Sequence, residues 1–89
     1  MPVRDNPQQN RYELDIEGHT AVACYKLADN VITFTHTEMP PALGGHGVGS
    51  QLAKGALDDV RSRGLKVVAH CEFLGGYIAK HAEYGDLLR

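Results

Sequence analysis

Cys71 is the residue of this sequence best placed for direct chemistry. It follows the apolar run Val67-Val68-Ala69-His70 and precedes a helix-like segment. Its thiol is therefore expected near a helix N-terminus, where the positive end of the dipole lowers a thiol pKa. The competing reading is a buried strand-end thiol that only packs, since free cysteine is among the most buried residue types. His70 is adjacent in sequence, but neighbours on an extended strand point to opposite faces, so the two do not read as a dyad. His36 and Glu38 stand two apart in a β-rich segment and are expected to share one face, where either can relay a proton. Alternatively, both cap the sheet edge and bond loop backbone. Cys24 reads as a packing thiol in mid-strand, and a disulfide to Cys71 is not expected in a reducing compartment. His36, His46, His70, Cys71 and His81 show no metal-ligand spacing, so no metal is expected.

The second chemical feature is glycine. Four of the ten glycines fall between Gly44 and Gly49, in Leu43-Gly44-Gly45-His46-Gly47-Val48-Gly49-Ser50. This stretch lies between a strand end and a helix start, where several backbone N–H groups lack internal acceptors. Together with the positive end of the helix, such a loop favours a phosphate or diphosphate. A merely flexible helix entry is the alternative. A Walker A loop needs Lys-Ser or Lys-Thr after its last glycine, and the chain has Ser50-Gln51, so nucleotide hydrolysis is disfavoured. A dinucleotide fingerprint fits Gly45 and Gly47 but finds Ser50 where its third glycine belongs.

The elements that must carry these groups follow from periodicity. Arg11–Glu17 alternates, with Tyr12, Leu14 and Ile16 on one face and acids on the other, the pattern of a half-buried strand. Thr20–Leu27 and Val31–Glu38 read as two more strands, joined through the turn residues Ala28-Asp29-Asn30 into an antiparallel meander. Val48, Leu52, Ala53, Ala56, Leu57 and Val60 form an amphipathic helical stripe, which Gly64 stops. Leu65–Ala69 reads as a fourth strand, and Phe73, Leu74, Tyr77 and Ile78 mark a short second helix weakened by Gly75-Gly76. The order β-β-β-α-β-α makes the chain α/β or α+β. Residues 1–10, with two prolines, read as a flexible lead-in to a single domain over 11–89.

Here the sequence resembles the GNAT acetyltransferase superfamily, in particular its small single-domain YjdJ-type branch. The likeness runs from about Arg11 to Leu88. It is carried by His36-Thr37-Glu38, Gly45-His46-Gly47-Val48-Gly49-Ser50-Gln51-Leu52, Ala56-Leu57-Asp58, Gly64-Leu65-Lys66-Val67-Val68, Cys71 and His81-Ala82-Glu83-Tyr84. The resemblance implies a minimal acyl-CoA N-acyltransferase fold with a mostly antiparallel sheet, in which the Val31–Glu38 strand splays from the Leu65–Ala69 strand. Acetyl-CoA or CoA would then be held by Glu38, Met39, Gly44, Gly45, His46, Gly47, Val48, Gly49 and Ser50. The acetyl group would pass to an unidentified amine, with Cys71, Glu38 and His36 as catalytic candidates. The alternative is an acyl-CoA-binding module with little or no turnover. Gly44 departs from the family pattern, which usually has Arg or Gln there, and Ala69 and Ala82 replace prolines. Many relatives carry a tyrosine acid in the last helix; aligned from Cys71, that position is Ile78, so Tyr77 reads as core and Tyr84 as packing for the C-terminal segment.

Composition bounds the rest. Eighty-nine residues, 43% of them apolar and 22% charged, suit one soluble globular core. A net charge of −2 argues against nucleic acid or an anionic membrane as partner. The polar start lacks signal-peptide character and no run approaches a membrane span, so a cytoplasmic protein is expected. A monomer or weak homodimer is expected, with Arg11–Glu17 as the available sheet edge.

Overall fold

The computed structural model describes residues 3–43 and 47–89. Five strands form one sheet in sequence order: β1 (Val3–Asn6), β2 (Arg11–Ile16), β3 (His19–Ala28), β4 (Val31–Glu38) and β5 (Lys66–Ala69). The first four pair antiparallel; β5 pairs parallel to β4 after the crossover helix α1 (Val48–Ser62). A second helix, α2 (Glu72–Lys80), and a 3-10 segment (Ala82–Leu87) complete the chain. The α/β architecture expected from sequence is the one observed, with one strand added. No described helix is long and apolar enough to cross a membrane.

Turn chemistry sets the meander. Glu17-Gly18 and Asp29-Asn30 are two-residue hairpin loops with positive φ at both positions, the geometry whose twist matches right-handed strand twist. α1 ends at Gly64, whose φ of 70° lets its N–H reach the Arg61 carbonyl while Leu65 N–H reaches that of Val60. That paired closure satisfies two orphan carbonyls and buries Leu65 as β5 begins.

One sheet face carries Tyr12, Leu14, Ala21, Ala23, Tyr25, Ile32 and Phe34, and the predicted stripe of α1 packs onto it with every member buried. Removing a large side chain of this set from water stabilises by about 1.5–3 kcal/mol. Tyr12, Tyr25 and Phe34 form an aromatic triangle with centroids 5.5–6.3 Å apart. Their polar tips are satisfied: Tyr12 donates to Asp59 at 2.6 Å and Tyr25 to Asp5 at 2.5 Å. Burial, and then the carboxylate of Asp5, pushes the Tyr25 hydroxyl up to about 12.

Two expectations are corrected. Val3–Asn6 is not part of a flexible lead-in but a paired strand. Val3 packs on α1 where Gly55 leaves room, Asp5 accepts from Tyr25 and Arg63, and Arg4 bonds Glu13 and Asp15. Polar residues hid a strand whose contacts are mostly ionic. In consequence Arg11–Ile16 lies between β1 and β3 and is not a sheet edge. Tyr84 is buried and its hydroxyl bonds Asp58 of α1, while Leu88 bridges Val67 of β5, so the C-terminal segment is held on both the helix and the sheet.

Candidate active site

The site begins where two strands part. β4 pairs with β5 from Val31↔Lys66 to Phe34↔Ala69 and then continues without β5 to Glu38. The Phe34 carbonyl accepts both His70 N–H, at 3.0 Å, and Cys71 N–H, at 3.1 Å, which ends the pairing and turns the chain into α2. Beyond that point β4 keeps β3 on one side, and among the described residues no strand pairs with its other edge.

A bulge then decides which side chains enter this opening. Cys24 pairs with His36 and Tyr25 with Phe34, so Thr35 is an extra residue in β4; its hydroxyl donates to the Cys24 carbonyl at 3.3 Å. An inserted residue reverses the alternation beyond it. Ile32 and Phe34 face the helices, but after Thr35 it is Thr37, opposite the core residue Ala23, that does so. His36 and Glu38 move to the outer face.

Cys71 is the N-cap residue of α2, as its position before a helix suggested, and is 7% exposed. Its Sγ lies 3.6 Å from the Thr37 hydroxyl. On the outer face, His36 Nε2 lies 3.0 Å from Glu38 Oε2, with both side chains more than half exposed. An ionised carboxylate only accepts, so Nε2 carries the proton and Nδ1 remains free as a base. His36 and Glu38 do share a face, as expected, but it is not the face of Cys71. Cys24, opposite His36, is half-buried, and burial followed by the charge of Glu38 pushes its thiol pKa up. That environment suits packing rather than nucleophilic attack. With Cys24 outside and Cys71 inside, both cysteines are free.

The helix side of the opening is α1. Gly47, its N-cap, has φ 70°, and among the described residues no side chain caps the first turn. Val48 is buried, so only its backbone can meet a ligand, whereas Ser50 is exposed. A Cβ at Gly49 would stand 2.8 Å from the Phe73 ring and 3.3 Å from the Met39 methyl, so this glycine lets β4, α1 and α2 converge. The uncapped amides suit an anion such as a diphosphate. Gly44, Gly45 and His46 lie outside the described residues.

Three contributors were not legible in sequence: Thr37 as the partner of Cys71, Thr35 as the bulge, and Phe73 as the ring over Gly49. A bulge has no periodic signature in a run such as Thr33-Phe34-Thr35-His36-Thr37. Ile78 is buried in the core, which leaves the aligned tyrosine position without a hydroxyl. Tyr77 is half-buried and stacks on His81 with centroids 3.9 Å apart.

A splayed β4–β5 pair, a crossover helix with a glycine entry and a thiol at the next N-cap define a GNAT-type acyltransferase fold. Residues 11–87 match the family described as GCN5-related N-acetyl-transferase, and the chain belongs to that family. Among curated proteins it is similar to Protein NATD1 of Gallus gallus, 34% identical over 84 residues, covering 91% of this chain and 76% of that protein. It is also similar to Protein NATD1 of Mus musculus, 29% identical over 82 residues, covering 89% and 74%. The solution structure of a GCN5-like protein from Staphylococcus aureus superposes with a TM-score of 0.73 at 30% identity, covering 98% of this chain and 86% of that one.

Proposed function

We propose that this chain is an acetyl-CoA-dependent N-acetyltransferase whose acceptor is an amine. The single observation that carries the proposal is the opening itself: β4 loses β5 after Phe34, where Cys71 caps α2 and the first turn of α1 meets Phe73 of α2 at Gly49. Bound there, acetyl-CoA supplies an activated acyl thioester. The amides of Gly44–Ser50 would hold its diphosphate, and the unpaired edge of β4 at Glu38 and Met39 would receive the pantetheine arm.

The protein's own residues then have two tasks. The amine must lose a proton, and the departing sulfur must gain one. Cys71, bonded to Thr37 on the inner side, is positioned to handle the sulfur's proton. His36 Nδ1, with Nε2 fixed by Glu38, is positioned to take the amine's proton on the outer side. The distance between these roles also favours a second reading, an acyl-CoA-binding module with little turnover, because Cys71 and His36 do not form a dyad.

Titration of the 15N-labelled protein with acetyl-CoA tests the binding claim through the amides of Gly47–Ser50. Unmoved amides at millimolar ligand would remove it. Mass spectrometry for acetylated products in an amine library then separates enzyme from binder.

A further inference from the structure

Most Lys and Arg side chains of this protein are tied to acids or to backbone carbonyls. Lys26, Lys80 and Arg89 make no ion pair among the described residues. Two of these three meet in one place. Lys26 and Arg89 line a depression of about 450 Å³ with Ala28, Asp29, Val31 and Thr33.

The sheet register brings them there. Ile32 and Phe34 point to the helices, so Thr33 points outward, as do its partners Lys26 on β3 and Val68 on β5. Leu88 bridges Val67, which sets Arg89 beside Val68 at the end of the same row. Three strand spacings put the backbones of Lys26 and Arg89 about 14 Å apart. Two long side chains with one anion between them fill that span. Asp29, the one acid lining the depression, is in the hairpin loop beyond Ala28, at the end away from the opening.

This row lies close to the base on the outer face. His36 is three residues along β4 from Thr33, and its partner Cys24 is two residues along β3 from Lys26. Those steps are about 7–10 Å. The outer face therefore carries opposite charges at two ends: the Glu38 carboxylate bonded to His36, and the free cations Lys26 and Arg89. An ammonium is drawn to the first and an anion to the second.

We propose that the depression holds an anionic group of the acceptor, a carboxylate or phosphate about 7–10 Å from the amine that is acetylated. The inference rests on the proposed function, in which the amine meets His36 Nδ1 on this face. Lys26 and Arg89 bond the anion over Thr33, and the carbon chain of the acceptor runs along β4 to His36.

The probes are 6-aminohexanoate, its neutral amide 6-aminohexanamide, and 5-aminopentyl phosphate, each titrated into the 15N-labelled protein with CoA present. The acid is expected to bind about tenfold tighter than the amide and to move the backbone signals of Lys26, Thr33, Val68 and His36. With acetyl-CoA, kcat/KM should follow the same order. Tighter binding of the phosphate probe than of the acid names the anion as phosphate, and the reverse names it as carboxylate; either supports the site. Lys26→Gln with Arg89→Gln should bring the acid down to the affinity of the amide. Lys26→Glu with Arg89→Glu should make 1,6-diaminohexane the tightest ligand. Equal affinities for acid and amide in the unsubstituted protein, or an equal loss of both in the glutamine variant, overturns the inference and leaves the proposed function standing. A response at Lys26, Thr33 and Val68 that leaves His36 unmoved does the same, because the anion site would then be separate from the acceptor. Gly47–Ser50 signals unmoved by CoA would overturn the proposed function itself.

Discussion

Beyond Thr35 the two faces of β4 are different chemical environments. The inner face holds Thr37 against Cys71, which is nearly closed to solvent; the outer face holds the His36–Glu38 pair, more than half exposed. The extra residue Thr35 sets which side chains fall on which face. It lets a single strand serve a dry compartment and a wet one within four positions. A proton can be managed on each side of the sheet without either group touching the other. Under the proposed function this suits a transfer between two molecules entering from opposite sides.

The most severe way to break that contrast is to insert one residue between Cys24 and Tyr25, which gives Thr35 a partner on β3 and removes the bulge. Alternation along β4 would then run without interruption from Phe34, turning His36 and Glu38 inward and Thr37 outward. Taking the His36–Glu38 pair out of water costs about 3 kcal/mol or more. The expected result is a large drop in melting temperature and loss of acetyl-CoA binding. An insertion variant with unchanged stability and binding would show that the bulge does not partition the faces.

A gentler test keeps the backbone and removes one group per face. Cys71→Ala is expected to lower kcat about 1,000-fold and His36→Gln about 100-fold, within the range of acid–base contributions. Because the groups act from opposite faces, the double variant should show the product of the two losses, the behaviour of independent sites. A double variant no worse than Cys71→Ala alone would mean that the two residues work as one unit after all.

Sequence periodicity found what repeats and missed what interrupts. The stripe from Val48 to Val60, the alternation at Tyr12 and Leu14 and the stop at Gly64 were all legible, since each is a regular pattern or its defined terminator. The side on which His36 falls was not, because it depends on how β3 and β4 align rather than on β4 alone. β1 was missed for a different reason. Val3-Arg4-Asp5-Asn6 has one apolar residue, and its stability comes from Arg4, Asp5 and Gly55, partners distant in sequence. The glycine motif pointed to the site through its spacing, but not to Phe73, which closes over Gly49 from another helix.

β1 repeats the two-faced comparison in a structural setting, and its inner side is the more sensitive. A Cβ added at Gly55 would stand 2.5 Å from Val3 Cβ, too close for either to remain in place. Overpacking of this kind costs about 1–3 kcal/mol, while the helix gains at most about 1 kcal/mol from alanine. Gly55→Ala is therefore expected to destabilise by about 1–2 kcal/mol in denaturant unfolding. Hydrogen exchange should quicken first along the β1–β2 pairing. Unchanged exchange there would mean that Val3 does not hold β1 to the helix.

The outer side of β1 should respond more weakly, and to pH. Glu13 is 4% exposed yet lies on the open face, covered by the groups it binds: Arg4 and Arg11, each at 2.6 Å, and Asn6 at 3.1 Å. The Arg11 hydrogen bond is the main reason its carboxyl titrates below the ordinary 4.5, with Asn6 and the charges of Arg11 and Arg4 assisting against burial. A carboxylate with a depressed folded-state pKa adds stability that is complete above its unfolded pKa and is lost as pH falls through the folded value. Glu13→Gln keeps an acceptor and returns two part-exposed guanidinium groups to water, so its expected cost at pH 7 is only about 1 kcal/mol. As pH falls through the folded value, which lies below the ordinary 4.5, the parent protonates Glu13 and loses the same contribution, so the two stability curves should converge there. A gap that stays constant from pH 7 to pH 3 would assign the cost to the altered shape of the side chain rather than to its charge.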